Sequence, residues 1–189
     1  MKYKLLILSI LIGYMCAGQN KATIQRKGFM GGISVGFAHS KIPFPIKSTN
    51  YNDLALNWKI GYFISPKAAL LLNGAVSVYD YSLSGRPRKR DFGGLYPSYQ
   101  YFLNKNLWVL GGIGLATEAP VFYDLKTDNQ DETKYYFGTG VLTAIGYDLV
   151  RLKKAVINVQ IRTNWNSINK SDSKLNGLST GICLGVNFY

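Results

Sequence analysis

Leu178-Ser179-Thr180-Gly181-Ile182-Cys183-Leu184-Gly185-Val186-Asn187-Phe188-Tyr189 alternates without a break. Leu178, Thr180, Ile182, Leu184, Val186 and Phe188 fall on one side. Ser179, Gly181, Cys183, Gly185, Asn187 and Tyr189 fall on the other. Successive side chains of a strand leave opposite faces, so the stretch predicts a strand that is apolar on one face and small or polar on the other. A strand patterned this way needs partners on both edges and an apolar medium against one face.

Seven further segments carry the same pattern. Residues 28–38 set Phe29, Ile33, Val35 and Phe37 against Met30, Gly32, Ser34 and Gly36. Residues 54–64 set Leu56, Trp58, Ile60 and Tyr62 against Asn57, Lys59 and Gly61. Residues 68–81, 92–103, 107–116 and 134–147 follow, each apolar on one side. In 92–103, Pro97 has no N–H for a ladder and predicts a local bulge. Residues 155–165 are the clearest, with Ile157, Val159, Ile161 and Trp165 opposite Asn158, Gln160, Arg162 and Asn164.

The connections between these eight strands alternate in length. Residues 39–53, 82–91, 117–133 and 166–177 read as long loops. Those around Pro66, Asn104 and Arg151 read as tight turns. An all-β, eight-stranded antiparallel up-and-down transmembrane β-barrel shows this rhythm, with its long loops on one side of the membrane. Both chain ends are then expected on the turn side.

The beginning of the chain reads as an export signal over 1–18. Lys2 and Lys4 precede an apolar run from Leu5 to Met15, and Cys16, Ala17 and Gly18 supply the small residues of a cleavage site. Lipid attachment at Cys16 or an uncleaved anchor are the alternatives. The remainder, 19–189, suits one barrel domain. Losing Lys2 and Lys4 lowers the formal charge of +12 by two. Only Cys183 would remain, so no intrachain disulfide is expected. An exported chain without one needs another source of stability, which a closed ladder in lipid supplies.

The layout resembles the small outer-membrane β-barrel family of Gram-negative bacteria, of the OmpX and OmpA-transmembrane kind. The phrases that carry the resemblance are Gly61-Tyr62-Phe63-Ile64 before Ser65-Pro66-Lys67, Tyr99-Gln100-Tyr101-Phe102-Leu103, Leu110-Gly111-Gly112-Ile113-Gly114 and Gly185-Val186-Asn187-Phe188-Tyr189. It implies a monomer in the outer membrane with a structural or surface-interaction role. Its partners would be outer-membrane lipid and lipopolysaccharide, with the barrel-assembly machinery acting during insertion. A narrow porin-like channel, a lipid-A-modifying barrel enzyme and a soluble secreted barrel with its apolar face inward are the rival readings.

No residue set points to catalysis, to a cofactor or to a metal. The inward polar residues Asn57, Lys59, Gln100, Asn158, Gln160 and Arg162 are expected to form a hydrogen-bonded lumen network, because a ring of eight strands is just wide enough for side chains to fill. His39 and Ser40 suggest a hydrolase pair, but neighbouring residues of a strand point opposite ways. Arg86, Arg88, Lys89 and Arg90 form a basic run. Behind an export signal it reads as a loop contacting a polyanion such as lipopolysaccharide phosphate, and not nucleic acid.

Overall fold

The computed structural model describes residues 25–43, 48–83, 86–121, 134–170 and 173–189. The export signal expected over 1–18 lies outside them. Eight strands run in chain order: β1 (Gly28–Pro43), β2 (Ser48–Ser65), β3 (Ala68–Leu83), β4 (Arg86–Phe102), β5 (Leu107–Pro120), β6 (Tyr136–Arg151), β7 (Ala155–Lys170) and β8 (Ser173–Phe188). Each pairs antiparallel with the next, and β8 returns to β1, closing the barrel. Closure leaves no edge, so the strands' backbone polar groups pair within the ladder.

Every strand sends an apolar series outward, as the periodicity predicts, while a smaller apolar set that includes Phe63, Phe102 and Trp108 faces the lumen. Phe37 is 80 % exposed and Ile113 70 %, and Phe29, Ile33 and Ile182 also point away from the lumen. The outward apolar run covers 29–37 in β1, 155–165 in β7 and 178–188 in β8. Past it, the outward positions turn polar, with His39 and Lys41, Ser167 and Asn169, and Asn176 and Lys174. About 9–11 tilted strand residues cross the apolar layer of a bilayer, which is the length of this run. Outward Tyr62, Tyr101 and Tyr147 ring the turn end, while Phe37, Phe137 and Trp165 stand further up.

The strands are longer than their apolar patterns suggest. Residues 39–43 and 48–53, expected as loop, continue the β1–β2 ladder as far as the pair Pro43 and Ser48. Residues 82–83 and 86–91 extend β3 and β4, 117–120 extend β5, and 166–170 and 173–177 extend β7 and β8. These corrections share one cause. Above the apolar run the outward positions become polar and the apolar ones, such as Ile42, Ile168 and Leu175, turn inward. The period of two persists with its contrast inverted and no longer reads as a lipid-facing strand. The bulge expected at Pro97 is also corrected. Pro97 pairs in step with Leu72, and the β4–β5 ladder passes Tyr96 and Pro97 without a change of register. The irregularities fall instead between Phe63 and Ser65 and between Asp148 and Val150, beside two tight turns.

Candidate functional site: a filled lumen

The inward face, read from the turns upward, has three layers. The lowest is apolar. Met30, Phe63, Leu71, Phe102, Trp108 and Leu142 are buried together, and Tyr189 packs on them from beyond the end of β8. The Tyr189 ring meets Phe63 edge-on, with centroids 5.4 Å apart. Trp108 is wholly buried, and its ring lies over Gly146 on the neighbouring strand. A Cβ at residue 146 would occupy the ring's place, so the glycine admits the indole. The Trp108 Nε1–H donates to Asp148 Oδ1 at 3.1 Å. Arg26, ahead of β1, reaches the other Asp148 oxygen at 3.5 Å and stacks its guanidinium over Phe102 at 3.6 Å. Burial lowers the pKa of that guanidinium and raises that of the Tyr189 phenol.

The middle layer holds Asn57, Lys59, Gln100, Asn158, Gln160 and Arg162. Lys59 Nζ donates to Gln100 Oε1 at 3.0 Å and sits 4.3 Å above the Trp108 ring. Arg162 donates to Gln160 Oε1 at 3.1 Å and across the lumen to Asn73 Oδ1 at 3.2 Å. Asn57 Nδ2 donates to Ser34 Oγ and Cys183 Sγ, both at 3.3 Å. Asn158 is buried, with no side-chain hydrogen bond to a described residue. Among the described residues no carboxylate forms an ion pair with Lys59 or Arg162. Their charge is met by amide oxygens and, for Lys59, by an aromatic face. The interstice between Lys59, Arg162, Asn57 and Asn187 is too tight for a water-sized sphere.

The upper layer centres on Glu118. Its Oε1 accepts from Tyr79 Oη at 2.6 Å and from Arg90 Nε at 2.5 Å, and Lys170 Nζ lies 3.1 Å from Oε2. Arg90 also donates to the Lys134 carbonyl at 2.8 Å. Ile42, Phe92, Ile168 and Leu175 pack around this group. Beneath it, the hydroxyls of Ser40, Ser179 and Ser77 form a chain with spacings of 2.9 and 2.7 Å. Tyr96 donates to Asn166 Oδ1 at 2.7 Å, whose amide in turn donates to the Gly93 carbonyl.

The basic run is redistributed. Its residues lie on β4 and not in a loop. Arg90 faces the lumen, 3 % exposed, and is held by Glu118. Lys89 points outward and pairs with Asp80 at 2.7 Å. The side chains of Arg86 and Arg88 lie outside the described residues. His39 faces outward and its Nδ1 is 2.9 Å from Asn52 Oδ1, while Ser40 is buried in the lumen. The two therefore form no nucleophile–base pair.

Glu118, Asp148 and Arg26 anchor the lumen's two ends, and none stood out in the sequence. A signal was present for the carboxylates. Glu118 continues the inward series Gly112, Gly114, Ala116, and Asp148 continues Leu142, Ala144, Gly146. The apolar pattern alone assigns both to connections, Glu118 to the loop 117–133 and Asp148 to the turn around Arg151.

No protein-family model and no curated protein matches the chain. Solved structures do match. The Yersinia pestis attachment invasion locus protein Ail, in complex with the heparin analogue sucrose octasulfate, is 13 % identical, with a TM-score of 0.52 over 85 % of this chain and 99 % of that one. Neisserial surface protein A is 17 % identical, with a TM-score of 0.56 over 85 % and 96 %. The chain has the closed eight-stranded fold of the small outer-membrane β-barrels.

Proposed function

We propose that the chain is a bacterial outer-membrane barrel with a structural or surface-interaction role, performing no reaction in its lumen. One observation carries this reading: large apolar side chains face outward on all eight strands, while the buried polar and charged groups lie inside with two apolar clusters. That arrangement would be costly in water and is what lipid favours. It is the reverse of a soluble ligand-binding barrel, whose apolar face lines the cavity.

Residues 1–18 would deliver the chain across the inner membrane, and the assembly machinery would insert it. Outer-membrane lipid and lipopolysaccharide would then surround it, and the barrel would stand as a monomer. The turns would face the periplasm and the extended strand ends the exterior. Those ends, stiffened by the Glu118 cluster, suit a platform for contacts outside the cell. Ail, named for attachment and invasion, and a neisserial surface protein share this fold.

The filled lumen supports a closed barrel over a channel. Purified protein should stay folded only in detergent or lipid, and should run faster on a gel unheated than after boiling. In planar bilayers it should show no steady conductance. A folded protein in plain buffer, or a stable open channel passing sugars, would refute the reading.

A further inference from the structure

Charge is divided unevenly between the two ends of the barrel. Lys67, Lys105, Lys153 and Lys154 lie in the three turns, all exposed, with Arg151 at the end of β6 and Lys27 just ahead of β1. Among the described residues of that end, the one acidic side chain is Asp148. It is buried and already engaged by Arg26, Arg151 and the Trp108 indole. At the opposite end cations and carboxylates interleave, as in Lys89 with Asp80 and Arg90 with Glu118.

Lys27, Lys67 and Lys105 line a single groove of about 920 Å³ at the turn end. Its walls are tied together by one backbone hydrogen bond and one from a guanidinium side chain. The Phe102 N–H donates to the Lys67 carbonyl at 2.8 Å, and Arg26 donates to the Lys105 carbonyl. The segment ahead of β1, the first turn and the second turn are therefore held side by side. The same groove is lined by Tyr62, Ile64 and Leu103, each more than half exposed, which continue the outward apolar belt.

A small soluble anion would use the cations and leave the apolar wall wet. An amphiphile with an anionic head uses both, since its phosphate meets ammonium groups and its chain lies along apolar surface. We propose that this groove seats an anionic phospholipid, its phosphate against Lys27, Lys67 and Lys105 and one chain along Tyr62, Ile64 and Leu103. The proposal rests on the membrane-barrel reading above.

The test uses the folded protein in detergent, mixed with equal amounts of phosphatidylglycerol and phosphatidylcholine. Retained lipid is counted by native mass spectrometry, and folding is followed by the mobility shift on heating. Wild type should retain phosphatidylglycerol severalfold over phosphatidylcholine, and salt should weaken the preference. Lys67→Gln with Lys105→Gln should reduce the preference to near parity without altering the shift. Lys41→Gln with Lys174→Gln, at the opposite end, should leave it unchanged.

Equal retention of both lipids by wild type, or equal loss in both variants, would overturn the proposal. Displacement of the lipid by inorganic phosphate alone would also overturn it, because the groove would then be a free-anion site. A wild type that is folded and soluble without detergent would defeat the membrane reading itself. A barrel that shifts on heating but ignores lipid charge would defeat only the groove.

Discussion

Two kinds of cation stand in the lumen, and they are neutralised differently. Arg90 and Lys170 share the Glu118 carboxylate. Lys59 and Arg162 rely on the amide oxygens of Gln100, Gln160 and Asn73, with the Trp108 face beneath Lys59. A buried charge that loses its counter-charge keeps its desolvation cost and loses most of the compensation. Glu118→Leu is therefore expected to destabilise the barrel by about 3–5 kcal/mol, read as a lower urea midpoint for unfolding from lipid vesicles. Adding Arg90→Met should restore much of the loss. An unchanged midpoint in the single variant would contradict the central role given to Glu118. Lys59 and Arg162 were legible because strong outward apolar neighbours fix their facing. Glu118 was hidden because its counter-charges come from β4 and β7, and such pairing leaves no mark within one strand.

At the scale of the strand, what governs length is the ladder and not the apolar contrast. Lys89 pairs with Asp80 and Arg90 with Tyr79 in the β3–β4 register, well above the apolar run. Backbone held in a ladder resists proteases, which need an extended and accessible segment. Trypsin added to intact cells should therefore leave the bonds after Lys89 and Arg90 largely uncut, while the heat-unfolded chain is cut at both. Equal cleavage in the two states, seen by peptide mass spectrometry, would return this segment to a loop. The sequence announces where a strand begins at a tight turn, as at Ala68 after Ser65-Pro66-Lys67, because turn residues have their own chemistry. It announces the far ends poorly, because the outward His39, Lys41, Ser167 and Asn169 are as polar as a loop's residues and the apolar Ile42 and Ile168 have changed to the inward face. Pro97 misled for a related reason. Its missing N–H interrupts the β4–β5 ladder locally, yet the pairing on either side, Leu95 with Leu115 and Ser98 with Gly112, keeps the strands in step.

For the molecule as a whole, strand number, order and facing were legible because three weak signals agreed: period two, the alternating spacing between apolar stretches, and outward aromatics. The filling of the lumen was less so, since it depends on which strands meet across the ring. Lys59 on β2 stands over Trp108 on β5, and Arg162 on β7 reaches Asn73 on β3. The central claim is that outside and inside are exchanged relative to a soluble barrel, and the three tryptophans test it directly. Trp58 and Trp165 are 42 % and 56 % exposed on the outward face, whereas Trp108 is sealed within. Three variants, each keeping one tryptophan and replacing the others by Phe, can be reconstituted in vesicles containing brominated acyl chains, where bromine quenches indole fluorescence on contact. Strong quenching of Trp58 and Trp165, with Trp108 nearly untouched, is the result expected. Quenching of Trp108 equal to or greater than that of the other two, or no quenching of any, would contradict the account.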